Sequence, residues 1–374
     1  MSSRFGLAFL ACLAAALPGA AVAATIDSFV QINLTSDLPG VAANTDPALV
    51  NAWGITAGPS TPIWISDNGS GMSTVYNGAG QPFPTASPIV VNIPGPGGMG
   101  SGAPTGVVFN GSSGFGGAHF LWATEDGTIA GWSSGTNAVI EADNSASGAV
   151  YKGLALAGND LYAANFNAGT IDVFDSSFAP VSVPGGFLDP TIPAGFAPFD
   201  IQNINGLLYV TYAKQDAARH DDIAGAGNGY IDVFDTNGVL QMRLVSNGPL
   251  DSPWGLALAP AGFGPFGGDL LVGNFGDGTI NAFDPVNGAF KGVLMDPNGN
   301  PIVNQGLWGL AFGNGKFGTS AGTLYFTAGI PGPDMVESHG LFGAIDPVPE
   351  PFTSTLCLAG FAALALRRTI SRRL

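Results

Sequence analysis

The sequence predicts an all-β protein, a six-bladed β-propeller, and two observations carry the prediction. A block of about 50 residues recurs six times, each copy holding four short β-like runs separated by Gly, Pro, Asn or Asp. One such blade cannot bury both faces of its sheet, so neighbours must stack and the ring must close. The composition agrees: 57 glycines and 28 prolines break a chain of mean hydropathy +0.30 into short apolar runs, the texture of buried strands and tight turns.

The elements follow in chain order. Residues 1–23 read as a signal peptide: Arg4, an apolar run from Leu7 to Leu17, then Ala21-Val22-Ala23, which satisfies the small-residue cleavage rule and makes Ala24 the expected mature start. The run is too short for a permanent span, which needs ~20 apolar residues. The propeller is expected over 24–346. Its first segment, Ser28 to Leu34, alternates apolar and polar as a half-buried strand does. It is either a loose arm or the strand that completes the sixth blade beside Phe342 to Asp346.

The six repeats align at Gly54, Gly106, Gly153, Asp200, Gly255 and Gly309, spaced 47 to 55 residues apart. Two blocks match closely, NFNAGTIDVFD from Asn165 and NFGDGTINAFD from Asn274. Glycine lets the backbone turn sharply into each strand, and the recurring Asn and Asp bond to their own turns, so these residues are read as structural.

Residues 347–374 form a third unit. Pro349-Glu350-Pro351 precedes an apolar run of 15 residues, Phe352 to Leu366, expected as a single apolar helix, and Arg367, Arg368, Arg372 and Arg373 follow. Such a run can enter a bilayer while the arginines stay on the cytoplasmic side.

Charge excludes whole classes of partner. Between the two end segments stand six basic residues against 26 acidic ones, a balance of −20 that repels nucleic acid and anionic lipid. The two cysteines, Cys12 and Cys357, lie in the end segments, so the body has no disulfide, thiolate metal site or cysteine nucleophile.

No catalytic residue is predicted. His119, His220 and His339 fall in different blades without a nucleophile motif, and Gly95 to Gly102 lacks the lysine and helix of a phosphate cradle. Two features are candidates for binding. The first is the inserted loop Lys214 to Asn228, KQDAARHDDIAGAGN, which gathers Asp216, His220, Asp221 and Asp222 in an otherwise charge-poor body. Its aspartates are candidate calcium ligands, without the EF-hand spacing, or else ordinary solvated surface. The second is Trp53, Trp254 and Trp308, each preceding a repeat glycine. They either ring one mouth of the tunnel as a sugar-stacking face or plug a gap between blades.

The tail resembles the PEP-CTERM sorting signal of exosortase substrates, with its proline–glutamate–proline motif, apolar run and arginine cluster in order. The resemblance implies processing by an exosortase near Pro349 to Pro351. It also implies attachment to the inner membrane through the tail beforehand, and a final place at the surface or in the extracellular matrix of a Gram-negative bacterium. The body, through GLAL, LYVT and IDVFD, is similar to NHL-type and gluconolactonase-type propellers. It is more similar to a family of uncharacterised secreted propellers, through Asn33 to Asp37, Leu49 to Trp53, Asp67 to Gly69 and Tyr212 to Tyr230. Gluconolactonase-type propellers hold a divalent metal on polar residues beside the repeat glycines. Here those positions are Trp53, Thr105, Lys152, Phe199, Trp254 and Trp308, so that metal set is absent and no cofactor is identified. The expected role is a binding or structural protein of the exopolysaccharide layer; the alternative is a lactonase-like hydrolase or lyase working in the central tunnel.

Overall fold

A computed structural model describes residues 28–332 and 337–348. The expected signal peptide and cleavage site, and the tail segment with its proline–glutamate–proline motif, expected apolar helix and arginine cluster, lie outside the described residues. Among those described, no helix is long and apolar enough to cross a membrane.

Six sheets stand around one axis, five of them antiparallel with their strands in chain order and the sixth joined at its outer edge by strands from the amino-terminal end. The innermost strands are Ala52–Thr56, Pro104–Phe109, Tyr151–Ala157, Phe196–Ile204, Pro253–Leu258 and Leu307–Phe312. Each packs against the next, and the sixth against the first, so the ring is closed. The protein is thus a six-bladed propeller. The repeat starts read from the sequence all fall in these innermost strands.

Closure is made by the amino-terminal strand. Phe29–Ser36 pairs antiparallel with His339–Pro347, from Phe29 opposite Pro347 to Ser36 opposite Leu341. The last blade is built from both ends of the chain, and its alternating strand buries Phe29 against Phe263 and Phe266 of the neighbouring blade. His339 adds a tie, its Nδ1 lying 2.6 Å from the Asp37 carboxylate beyond that strand.

The glycines have a steric cause. A Cβ on Gly54 would lie 2.3 Å from the Thr105 carbonyl oxygen of the next blade, and one on Gly255 2.3 Å from that of Trp308. Innermost strands therefore meet backbone to backbone around the axis, which glycine permits in five blades, while Asp200 takes the equivalent position in the fourth against Gly153. In all six the ladder to the second strand slips at this point, for example between Ala52 and Ile55 and between Leu307 and Leu310. A bulge re-aims the side chain it carries. Here it turns the residue before each repeat glycine towards the axis, giving a layer of Trp53, Thr105, Lys152, Phe199, Trp254 and Trp308. The freed amides find side chains on the second strand: Gly309 N–H donates to Thr327 Oγ1 at 2.9 Å and Asp200 N–H to Thr211 Oγ1 at 2.9 Å.

Candidate functional site

The axial layer divides into an aromatic half and a polar half. Trp53 and Trp308 stack at 3.6 Å, Phe275 stacks on the other face of Trp308 at 4.1 Å, and Trp254 meets both tryptophans edge-on. Phe166 and Phe199 extend this cluster. Trp53, Trp254 and Trp308 are 1%, 4% and 1% exposed. They form no open sugar-stacking face at a rim. They fill the axis itself, neither a ring at the mouth nor a plug between two blades, because the bulges swing them inward onto one another. A hydrolase or lyase working inside the tunnel loses its passage at this layer.

The polar half is Lys152. Its side chain is 2% exposed, and its Nζ stands 5.1 Å from the centre of the Trp53 ring. The ammonium bonds Glu125 Oε1 and, at 3.2 Å, Asp221 Oδ1. Burial alone would push its pKa down; Glu125 and Asp221 reverse this and hold it above the ordinary lysine range. Burial likewise opposes ionisation of Asp221, but Lys152 and His220 hold its carboxyl below the usual range.

From this pair a chain of hydrogen bonds crosses the face. Asn68 Nδ2 donates to Glu125 Oε2 at 2.8 Å, and Asn51 Nδ2 donates to Asn68 Oδ1 and to Glu337 Oε1 at 3.2 and 3.1 Å. Trp308 Nε1–H donates to Asn51 Oδ1, tying the network to the aromatic layer beneath. On the other side His220 Nδ1 pairs with Asp221 at 2.9 Å. Burial first, then the Glu125 charge, pushes Glu337 up to about 7.

The topology explains why these residues meet. Asn51 and Lys152 stand at the entry to innermost strands. Asn68, Glu125, His220, Asp221 and Glu337 sit in connections from the second strand to the third. In an antiparallel blade both connections lie at the same end, so five blades deliver side chains to one face.

Of the loop residues, His220 and Asp221 reach the axis. Asp216 stays within its loop, its Oδ1 accepting the His220 and Asp221 amides, and Asp222 is a separate buried carboxyl that burial pushes up. The calcium expectation for Asp216, Asp221 and Asp222 is therefore corrected: the three do not converge. Among the described residues one group has metal-ligand spacing, Glu125, His220 and Asp221. Lys152 already bonds the inward oxygens of both carboxylates, so an ammonium holds the place of the cation. His119 is exposed and His339 is committed to Asp37, so the three histidines do not meet.

Glu125 and Glu337 were not singled out by sequence reasoning, and Asn51 and Asn68 entered it only within segments that carry the family resemblance, not as site residues. A signal existed for two of them. The position after the second strand is Phe166 and Phe275 in the two matched NF blocks, but Asn68 and Glu125 in the first two blades. That repeat position is aromatic where it faces the tryptophans and polar where it faces Lys152.

The chain matches no protein-family model. It is 35% identical over 315 residues to an uncharacterised protein of Acanthamoeba polyphaga mimivirus, across 79% of this chain and 75% of that one. A second uncharacterised protein of the same virus is 34% identical over 315 residues, across 79% and 80%. Among solved structures, a protein of unknown function from Bacteroides thetaiotaomicron superposes with a TM-score of 0.52 at 10% identity, covering 85% of this chain and 77% of that one. A catalytically inactive virginiamycin B lyase from Staphylococcus aureus with quinupristin gives 0.48 at 14% identity, covering 86% and 99%. At 10% identity the first of these likenesses speaks for the shared fold alone.

Proposed function

We propose a binding function for this chain, which belongs to one family with the two uncharacterised mimivirus proteins. The ligand seats on the Lys152 network, at the face where five blades converge. One observation carries the reading: a buried lysine is clamped by carboxylates from two other blades, under a loop that contributes His220 and Asp221. A structural ion pair needs neither the surrounding amides nor an inserted loop. Fixed carboxylate, amide and imidazole groups at a closed axis make a preorganised hydrogen-bonding surface. Its surplus of carboxylates disfavours anions and suits a neutral polyhydroxylated ligand. With the tryptophans buried, recognition would rest on hydrogen bonds rather than on ring stacking.

This reading fits the export and exosortase sorting expected from the two ends of the sequence, and a place near extracellular polysaccharide. Glycan screening of the purified chain tests the ligand class; cell fractionation of a Glu350→Ala variant and of a chain lacking Arg367 to Leu374 tests the sorting. Normal release of both variants would remove the exosortase reading.

A second reading rests on Glu337. A carboxyl near neutrality beside the ion-paired Glu125 is a pair whose environments differ, which is what acid–base chemistry requires. It would place a hydrolase or lyase on this face rather than in the tunnel.

A further inference from the structure

The opposite end of the axis is open. Where the innermost strands finish, a cavity of about 340 Å³ is lined on one side by Leu256, Leu258, Leu310 and Phe312 and on another by Gln202, Asn203 and Asn205. A smaller chamber of about 20 Å³, room for about one water, shares Ile55, Gln202, Leu256 and Leu310 with it and reaches up to Trp254. The chamber is thus the base of a funnel floored by the aromatic layer.

Asp200 lines that chamber. It replaces the glycine of the other five blades, is 4% exposed, and has no ion-pair partner among the described residues. Its neighbours offer no countercharge: on the adjoining innermost strand Lys152 is committed to Glu125 and Asp221, and the adjoining second strand presents Thr211. Burial pushes its pKa well above the carboxylate range, opposed by the Ile201 amide. A buried carboxyl without a partner is costly to ionise. The carboxyl lies over Gly153 of the preceding blade, where a Cβ would come 2.3 Å from its Oδ1, a contact that supplies no charge.

We propose that this funnel binds primary aliphatic amines, with the ammonium in the chamber against Asp200 and the alkyl chain along the side formed by Leu256, Leu258, Leu310 and Phe312. The chamber admits one water-sized head group. An ammonium supplies both the missing charge and three N–H donors, and the inner edges of the innermost strands, which have no neighbouring strand on the axial side, offer backbone carbonyls to them. A single carboxylate matches a single positive charge. The leucines, isoleucine and phenylalanine of the outer funnel suit an alkyl chain.

Calorimetric titration of the full chain with hexylamine tests this, with hexanol and hexyltrimethylammonium as controls. Hexylamine is expected to bind, and both controls at least about tenfold more weakly, since one lacks the charge and the other cannot enter the chamber. Asp200→Asn, nearly isosteric, and Asp200→Gly, which restores the residue of the other blades, should each lose hexylamine affinity by about tenfold or more while melting as the parent does. Asp221→Asn at the far face should leave the titration unchanged, which separates this site from the Lys152 network. Absence of hexylamine binding, equal binding of hexanol, retention in both Asp200 variants, or displacement of the amine by calcium would each overturn the proposal.

Discussion

Trp53 and Trp308, from the first and last blades, lie face to face across the propeller axis with ring centroids 3.6 Å apart and planes 16° from parallel. The contact joins the two blades between which the ring closes, and the Trp308 indole N–H is held by Asn51 of the functional face. Core and site are therefore continuous at this point, and disturbing one reaches the other.

Trp308→Ala should accordingly behave as a core truncation, costing about 3–5 kcal/mol in chemical denaturation. It should also release Asn51 and so loosen Glu337. A loss below about 1 kcal/mol would mean that the indole is not the buried axial aromatic described here.

Lys152 stands where a metal would otherwise sit. Lys152→Ala leaves the Glu125 carboxylate buried without its cation, and should cost about 3–5 kcal/mol. It also frees Glu125, His220 and Asp221, whose spacing fits a metal ion. Zinc should then raise the melting temperature of the variant and leave the parent unchanged. Zinc stabilisation of the parent, or none of the variant, would contradict the substitution of ammonium for metal.

Glu337 makes stability depend on pH. Its folded-state pKa is raised to about 7, whereas the unfolded value is ~4.3. The folded chain holds the proton more tightly, so this contribution is fully present below about pH 4.3 and is lost as pH rises to about 7. The shift corresponds to at most about 4 kcal/mol, at about 1.4 kcal/mol per pH unit. Asp232, which burial pushes to about 7 against the pull of Arg243, adds a slope of the same sign. Glu337→Gln should remove its share of the slope and leave that of Asp232. An unchanged pH profile would place Glu337 outside the buried network.

The architecture was legible because its causes are local and repeated. Gly54, Gly106, Gly153, Gly255 and Gly309 recur for a steric reason that acts at every blade, and Ser28 to Leu34 carried its half-buried alternation openly. The axis was less legible. Trp53, Trp254 and Trp308 were correctly seen as equivalent, but their inward aim depends on a bulge, which leaves no residue signature. The network was hardest to read, since Glu125 and Asn68 matter through contact with Lys152 and Asn51 across blade boundaries. Only their departure from the Phe166 and Phe275 pattern marked them. In the loop, charge density pointed to His220 and Asp221 but equally to Asp216, whose carboxylate serves its own turn.

Ring closure by the amino-terminal strand gives a further prediction. A chain lacking residues 24–36 loses Phe29, which is fully buried, together with its ladder to His339–Pro347. Truncating a buried phenylalanine alone costs about 3–5 kcal/mol, so differential scanning fluorimetry should record a fall of at least about 6 °C, at about 2–4 °C per kcal/mol. An unchanged transition would contradict closure by this strand.

The central claim is that the Lys152 face is where this propeller binds its ligand. The most direct test is the affinity of the full chain for the strongest glycan found by screening, measured beside Asp221→Asn and His220→Ala. Both residues are substantially exposed, at 66% and 47% of their side chains, so His220→Ala should melt as the parent does, while Asp221→Asn, which leaves Lys152 paired with Glu125 alone, should melt lower but stay folded. The account predicts that each lowers affinity by about tenfold or more, while Asp200→Asn at the opposite mouth leaves it unchanged. Full affinity in both face variants, with folding intact, would contradict it.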